Sequence, residues 1–167
     1  MNIINKDRPH SQFLAVINAE TVSIPSGSVV YYNMNGTRDG ADVVLPSTGG
    51  VAKNHLIAGI TLTDASANEA SVRTQAYGFC NRAMIRTGTR AASSDSWATF
   101  TSMAIGDVLG VDTVNNCLSR AAAGADSNFL AKAVLCQTVA SVAGSASATS
   151  DTRTALTTMA KVFLRMM

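Results

Sequence analysis

The chain has 167 residues, enough for one domain or one domain with ordered arms, and at 47% hydrophobic it can build a real core. Only 14% is charged and 5% aromatic, against about 25% charged in an average soluble domain, and the missing charge is replaced by Ser, Thr, Ala, Asn and Gly. The net charge of +2 comes without a basic run, the densest group being Arg82, Arg86 and Arg90, and without interleaved basic and aromatic residues, which speaks against nucleic acid as a partner.

A polar but weakly charged surface suits a protein that spends its life packed against neighbours, since a free protein keeps more charge for solubility. The three cysteines, Cys80, Cys117 and Cys136, are odd in number and widely spaced, with no C-x-x-C pair. They read as reduced, buried thiols of a protein made in a reducing cytoplasm. The N-terminal MNIINKDRPHSQF has no apolar stretch of the signal-peptide kind, and no run approaches the ~20 apolar residues that span a bilayer. The expectation is a soluble product of the host cytoplasm with no membrane partner.

In chain order, residues 1–25 read as an N-terminal arm. Its first part is polar and holds Pro9, FLAVINAETVSI is ambiguous between helix and strand, and Ile24-Pro25-Ser26-Gly27 closes it. Residues 26–167 read as a single β domain. Ser28–Met34 is rich in β-branched and aromatic residues, and Asn35-Gly36 and Asp39-Gly40 are turn signals. Ala41–Leu45, His55–Thr63 and Ala70–Tyr77 read as strands. Phe79–Arg86 continues the alternation without showing which side faces the core, and Thr87–Asp95 reads as a loop. Met103–Val111 gives a strand around a glycine turn. Val114–Ser119 gives a hairpin with Asn115-Asn116 at its tip. Phe129–Ala140 and Thr158–Arg165 complete the set, with a low-complexity loop at 141–151. Turn signals every eight to twelve residues, with no βαβ alternation, indicate an all-β fold: a compact barrel or sandwich of about eight to ten short strands with an extended N-terminal arm. Two stretches, AGITLTD…SVRTQAYGF and AKAVLCQTVA…TMAKVFLRM, resemble each other as apolar strand, polar loop and returning strand. This is hairpin likeness and does not by itself establish a duplication.

The inventory for chemistry is thin. The two histidines, His10 and His55, lie 45 positions apart without metal-ligand spacing. There is no G-x-S-x-G elbow, no phosphate loop and no dinucleotide fingerprint. Glutamate occurs only at Glu20 and Glu69, and the aspartates fall mostly in turns, where they serve the backbone. Calcium at Asp39 and Asp42, or at the Asp107/Asp112 loop, is the one metal option, and it lacks an EF-type loop. The expectation is a protein that is not an enzyme and has no cofactor and no metal.

Ala58–Ala65 followed by Val72–Gly78, then Ile105–Val111 with Asn115–Leu118, and finally Ala131–Leu135 with Lys161–Arg165, resemble the strand-and-turn text of phage capsid decoration (cement, or head-stabilising) proteins over about residues 26–165. The resemblance implies a structural virion protein that binds the outer capsid surface and stabilises the lattice of its partner, the major capsid protein, with self-association as a trimer or dimer. It carries over no functional residue. The candidate contacts are Arg8, Pro9, Phe13 and Leu14 in the arm and Met167 at the far end. Trp97 reads as a core anchor sooner than a contact. The competing reading is a phage tail or fibre component, or a receptor- or carbohydrate-binding β module, which needs exposed aromatics on one face.

Overall fold

The computed structural model describes residues 11–34, 38, 40–46, 56–68, 70–90, 97–99, 102–113, 115–120, 132–140 and 156–165. Among them are ten strands and no α-helix: β1 (Gln12–Asn18), β2 (Val29–Tyr32), β3 (Asp42–Val44), β4 (Ile57–Thr61), β5 (Ser71–Arg90), β6 (Trp97–Thr99), β7 (Val108–Asp112), β8 (Cys117–Arg120), β9 (Ala133–Leu135) and β10 (Leu156–Arg165). The protein is all-β, as expected. Two readings change. The arm does not extend to residue 25, because β1 pairs with β5 from Gln12 to Ile17 and with β3 beyond, and it buries Val16 and Asn18. Thr87–Arg90 is the end of β5 rather than a loop, because β6 pairs with it. Residues 1–10 and 141–151 lie outside the described residues.

One strand organises the rest. β5 is 20 residues long and belongs to two closed circuits, β1-β3-β2-β4-β5 and β5-β8-β7-β9-β10. In the first, β1 and β4 pair with the N-terminal part of β5. In the second, β10 and β8 pair with its C-terminal part. The body is therefore neither one clean barrel nor a two-sheet sandwich.

The two circuits have the same wiring. Each contains an antiparallel pair from a first strand to a last one (β1–β5, β5–β10) and a parallel pair from the first to a third (β1–β3, β5–β8). The antiparallel pairs β2–β3, β2–β4 and β4–β5 match β7–β8, β7–β9 and β9–β10. The turns agree in detail. The isolated bridge Ile24–Ala65 matches Met103–Val139. Gly27 N–H donates to Thr61 O at 2.7 Å as Gly106 N–H donates to Leu135 O at 2.9 Å, and both glycines have positive φ. The likeness legible as two hairpins is thus an internal duplication of a five-strand unit, with β5 serving as the last strand of one copy and the first of the next.

A ring of five strands encloses little space, since about eight are needed for an interior just filled by ordinary side chains. The first interior takes one small residue from each strand: Val16, Val30, Val43, Ala58 and Val72. The second holds Ala83, Ile85, Leu109, Leu118, Ala133, Ala160 and Val162. Val29, Tyr31, Ile57 and Ile60, on the opposite faces of β2 and β4, join this second cluster. β2 and β4 are therefore buried on both sides, which is why they read as unbroken apolar runs. Each such buried side chain contributes about 1.5–3 kcal/mol.

The expected alternation of β5 breaks between Cys80 and Ala83. Val162 stands opposite Cys80 and Ala160 opposite Ala83, so β5 carries one extra residue there. Cys80, Ala83 and Ile85 are all buried, while Asn81 and Arg82 are exposed. A bulge of this kind re-aims the strand, and here it turns β5 from one ring into the other.

At the far end of β7, Asp112 is buried and bonded to Arg86 of β5 and to Asn115 N–H and Nδ2 at 3.2 and 2.8 Å. Burial alone would push its carboxyl up. The hydrogen bonds from Asn115 and the bond and charge of Arg86 outweigh it and hold the pKa below the ordinary value.

Two predictions follow from these contacts. A group with a depressed folded pKa stabilises the fold above its unfolded pKa, about 3.9 for Asp, and that contribution disappears as pH falls through the folded value. Urea midpoints should therefore drop below about pH 4, and Asp112→Asn should weaken that dependence and cost about 3 kcal/mol at neutral pH. A Cβ on Gly106 meets nothing within 4 Å, whereas one on Gly27 lies 2.8 Å from both Arg82 O and the Met159 sulfur. Gly106→Ala should cost the backbone strain alone, about 1–2 kcal/mol. Gly27→Ala should cost measurably more in the same denaturation assay.

Candidate functional site

The described surface is apolar where the interiors are too narrow for rings. Counting outward along the second circuit, Phe79 of β5 stands opposite Phe163 of β10, Phe163 opposite Val134 of β9, and Val134 opposite Val108 of β7. Residues directly opposite in a sheet point to the same face, so these four form one row across four strands. Phe79 is 43% and Val108 44% exposed, and Ile105, in the turn before β7, is 68% exposed. Phe163 is held edge-on by Phe79 and by Tyr77, with centroids 5.0 and 5.3 Å away.

Cations frame the row. Alternation along β10 puts Lys161 and Arg165 on the same side as Phe163, and Lys161 Nζ lies 5.3 Å from the centre of the Phe79 ring. Farther along β5, the Arg73 guanidinium lies 4.2 Å from the centre of the Phe13 ring. Such contacts leave the cation available to solvent while covering part of the ring. β1, β5, β9 and β10 contain no Asp or Glu. These four strands bring aromatic and cationic side chains, and no carboxylate, to the outward face they share.

Of the contacts expected from sequence, Phe13 lies on this face, 43% exposed. Leu14 points the other way and packs, half-buried, on the first core. Arg8, Pro9 and Met167 lie outside the described residues, as do both histidines. Trp97 opens β6. Phe163 and Leu164 read from sequence as either an apolar contact or core of the last strand; Phe163 lies half-buried in the row and Leu164 is buried in the core, while Tyr77, Phe79, Val108, Val134, Lys161 and Arg165 were not singled out as contacts. The alternation Lys161-Val162-Phe163-Leu164-Arg165 was the available signal, but it marks a half-buried strand without saying what covers the other half.

The aspartates do backbone and framework work. Asp64 Oδ1 accepts Ser26 N–H, and Asp107 Oδ2 accepts Ala104 N–H and lies 3.6 Å from Arg120 Nε. Asp42 is buried beside Arg38 at 3.8 Å. Among the described residues no three His, Cys, Asp or Glu side chains cluster as metal ligands would. The candidate site is the row across β5, β10, β9 and β7. Comparison of the chain with protein-family models and with curated proteins finds no match.

The thiols provide a check on the placement of the core. Cys80 and Cys117 are buried and Cys136 is half-buried, all three unpaired. Burial pushes the Cys80 thiol up, and burial together with the Asp112 charge pushes Cys117 up to about 12. Only the thiolate reacts. A thiol reagent at pH 8 should modify Cys136 in the native protein and reach Cys80 and Cys117 only on unfolding, as read by intact-mass spectrometry.

Proposed function

We propose that this protein is a structural virion protein that binds the outside of a phage capsid and stabilises the lattice of the major capsid protein. The observation that carries the reading is the Phe79–Phe163–Val134–Val108 row with its cationic frame. An exposed apolar strip rimmed by polar groups is what a protein contact surface needs. The resemblance of residues 26–165 to decoration proteins supports the same reading, as does the low charge of the chain. In this role the two cores give a stiff body, and a stiff body loses little conformational entropy on docking. Weak contacts repeated over many copies per particle raise the barrier to shell rupture.

A specific observation also favours a second reading. Phe13, Tyr77, Phe79 and Phe163 gather on one face, as a carbohydrate- or receptor-binding module requires. Against it, the Phe163 ring is wedged edge-on between two others and offers no open flat face for a sugar to stack on.

The test is co-sedimentation with capsids stripped of accessory proteins, together with the temperature at which those particles break. Saturable binding that raises the disruption temperature is expected. No binding at high micromolar concentration overturns the cementing role for that capsid, and retention on a glycan array in its place makes the second reading the better one.

A further inference from the structure

The duplication makes the surface comparable with itself. In the first circuit Val29 is opposite Ile60, Ile60 opposite Gln75, and Gln75 opposite Phe13. In the second, Val108, Val134, Phe163 and Phe79 occupy the same four places. Two residues before Gln75 is Arg73, and two before Phe163 is Lys161. Each cation lies over the phenylalanine of its own row, at 4.2 and 5.3 Å. Both phenylalanines are 43% exposed. The same cation-on-ring element thus stands at the same place in both units.

The rows differ in how they are covered. Val29 and Ile60 are buried against the second core, and the amide of Gln75 donates to Tyr77 O and Phe79 O at 3.1 and 2.9 Å. The first row is therefore closed by the protein itself up to Phe13. In the second row Val108 remains 44% exposed. What both units leave outward is the ring with its cation. Phe13 stands opposite position 75 of β5 and Phe79 is on β5 itself, so the two positions are offset by four residues along the strand, about 13 Å at roughly 3.3 Å per residue.

We propose that Phe13–Arg73 and Phe79–Lys161 are two equivalent contact sites, each taking an acidic element with an apolar tip, so that one molecule bridges two copies of the same partner subunit. The inference rests on the capsid-binding reading and specifies its geometry. Charge decides the class of occupant. Arg73, Lys161 and Arg165 lie on strands without a carboxylate, so an acidic surface is attracted. A second copy of this face would set cation against cation. The apolar rings and valines favour a protein element over a bare polyanion. Two like elements a short distance apart are what a joint between identical lattice subunits presents.

The test compares Phe13→Ala, Phe79→Ala and the double variant on two probes: stripped capsids and unassembled major capsid subunits. On capsids each single variant converts two-point to one-point attachment and should lose on the order of 100-fold in affinity. The double variant should show no binding. On unassembled subunits each single variant should lose no more than about twofold, because one site remains. Arg73→Gln with Lys161→Gln should weaken capsid binding and flatten its salt dependence, with thermal melts confirming that every variant folds.

Wild-type affinity of the single variants on capsids overturns the inference and leaves capsid binding standing, as does an effect confined to one of them. Equal losses on both probes show a single extended partner segment and overturn the bridging. Failure of the unaltered protein to bind capsids, with or without retention on sulfated-polysaccharide beads, overturns the parent reading and this one with it.

Discussion

The fold depends on one strand being hydrogen-bonded along its whole length to different partners at its two ends. β5 closes the first ring with β1 and β4, then closes the second with β10 and β8. Neither ring is complete without it. The bulge at Asn81-Arg82 lets both halves point small residues inward, because a strand of strict alternation would present Ala83 and Ile85 on the side opposite Cys80. Gly27 seats the first unit on this bulge. Its carbonyl accepts Met84 N–H at 2.9 Å, and any side chain there would press on Arg82. The Asp112–Arg86 pair fastens the second unit to the same strand.

From narrow rings follows the unusual composition. Valine and alanine line the strands of the first ring, with Ile24 and Leu45 joining its cluster, whereas leucine and isoleucine are more numerous in the second, which also receives the far faces of β2 and β4. Among the described residues no phenylalanine enters either interior. Phe13, Phe79 and Phe163 stand on the outer face, where they pack with one another or under a cation. All three stand on strands that carry no carboxylate. The interior constraint and the proposed docking face are two sides of one packing problem.

Much of this was legible in the residues themselves. Val29–Tyr32, Ile57–Thr61 and the hairpin at Asn115-Asn116 announced themselves through β-branched content and turn chemistry, and Asn116 indeed takes a positive φ. Ring closure was not legible. The parallel pairs β1–β3 and β5–β8 join segments far apart in sequence and carry no local signature. The arm was misjudged past residue 10 because β1 exposes Gln12, Phe13 and Ala15 and so looks half unstructured. Of the repeat only a hairpin likeness was legible, because equivalent positions share chemistry more than identity: Arg73 answers to Lys161, while Gln75 answers to Phe163. Phe79 escaped notice because the extra residue at the bulge blurred which face it belonged to.

Tyr77 stands opposite both Gln12, the first residue of β1, and Arg165, the last residue of β10. The two ends of the described chain therefore reach the same point on the central strand. In terms of chain entropy the molecule is a loop that happens to be open. Gln12 and Arg165 flank that strand on either side, two strand spacings or about 10 Å apart, and a linker spanning that gap would deny the unfolded state much of its freedom, a constraint worth about 4–5 kcal/mol for loops longer than 100 residues. A form closed by such a linker between residues 12 and 165 should melt at a higher temperature than the open one while keeping both rings.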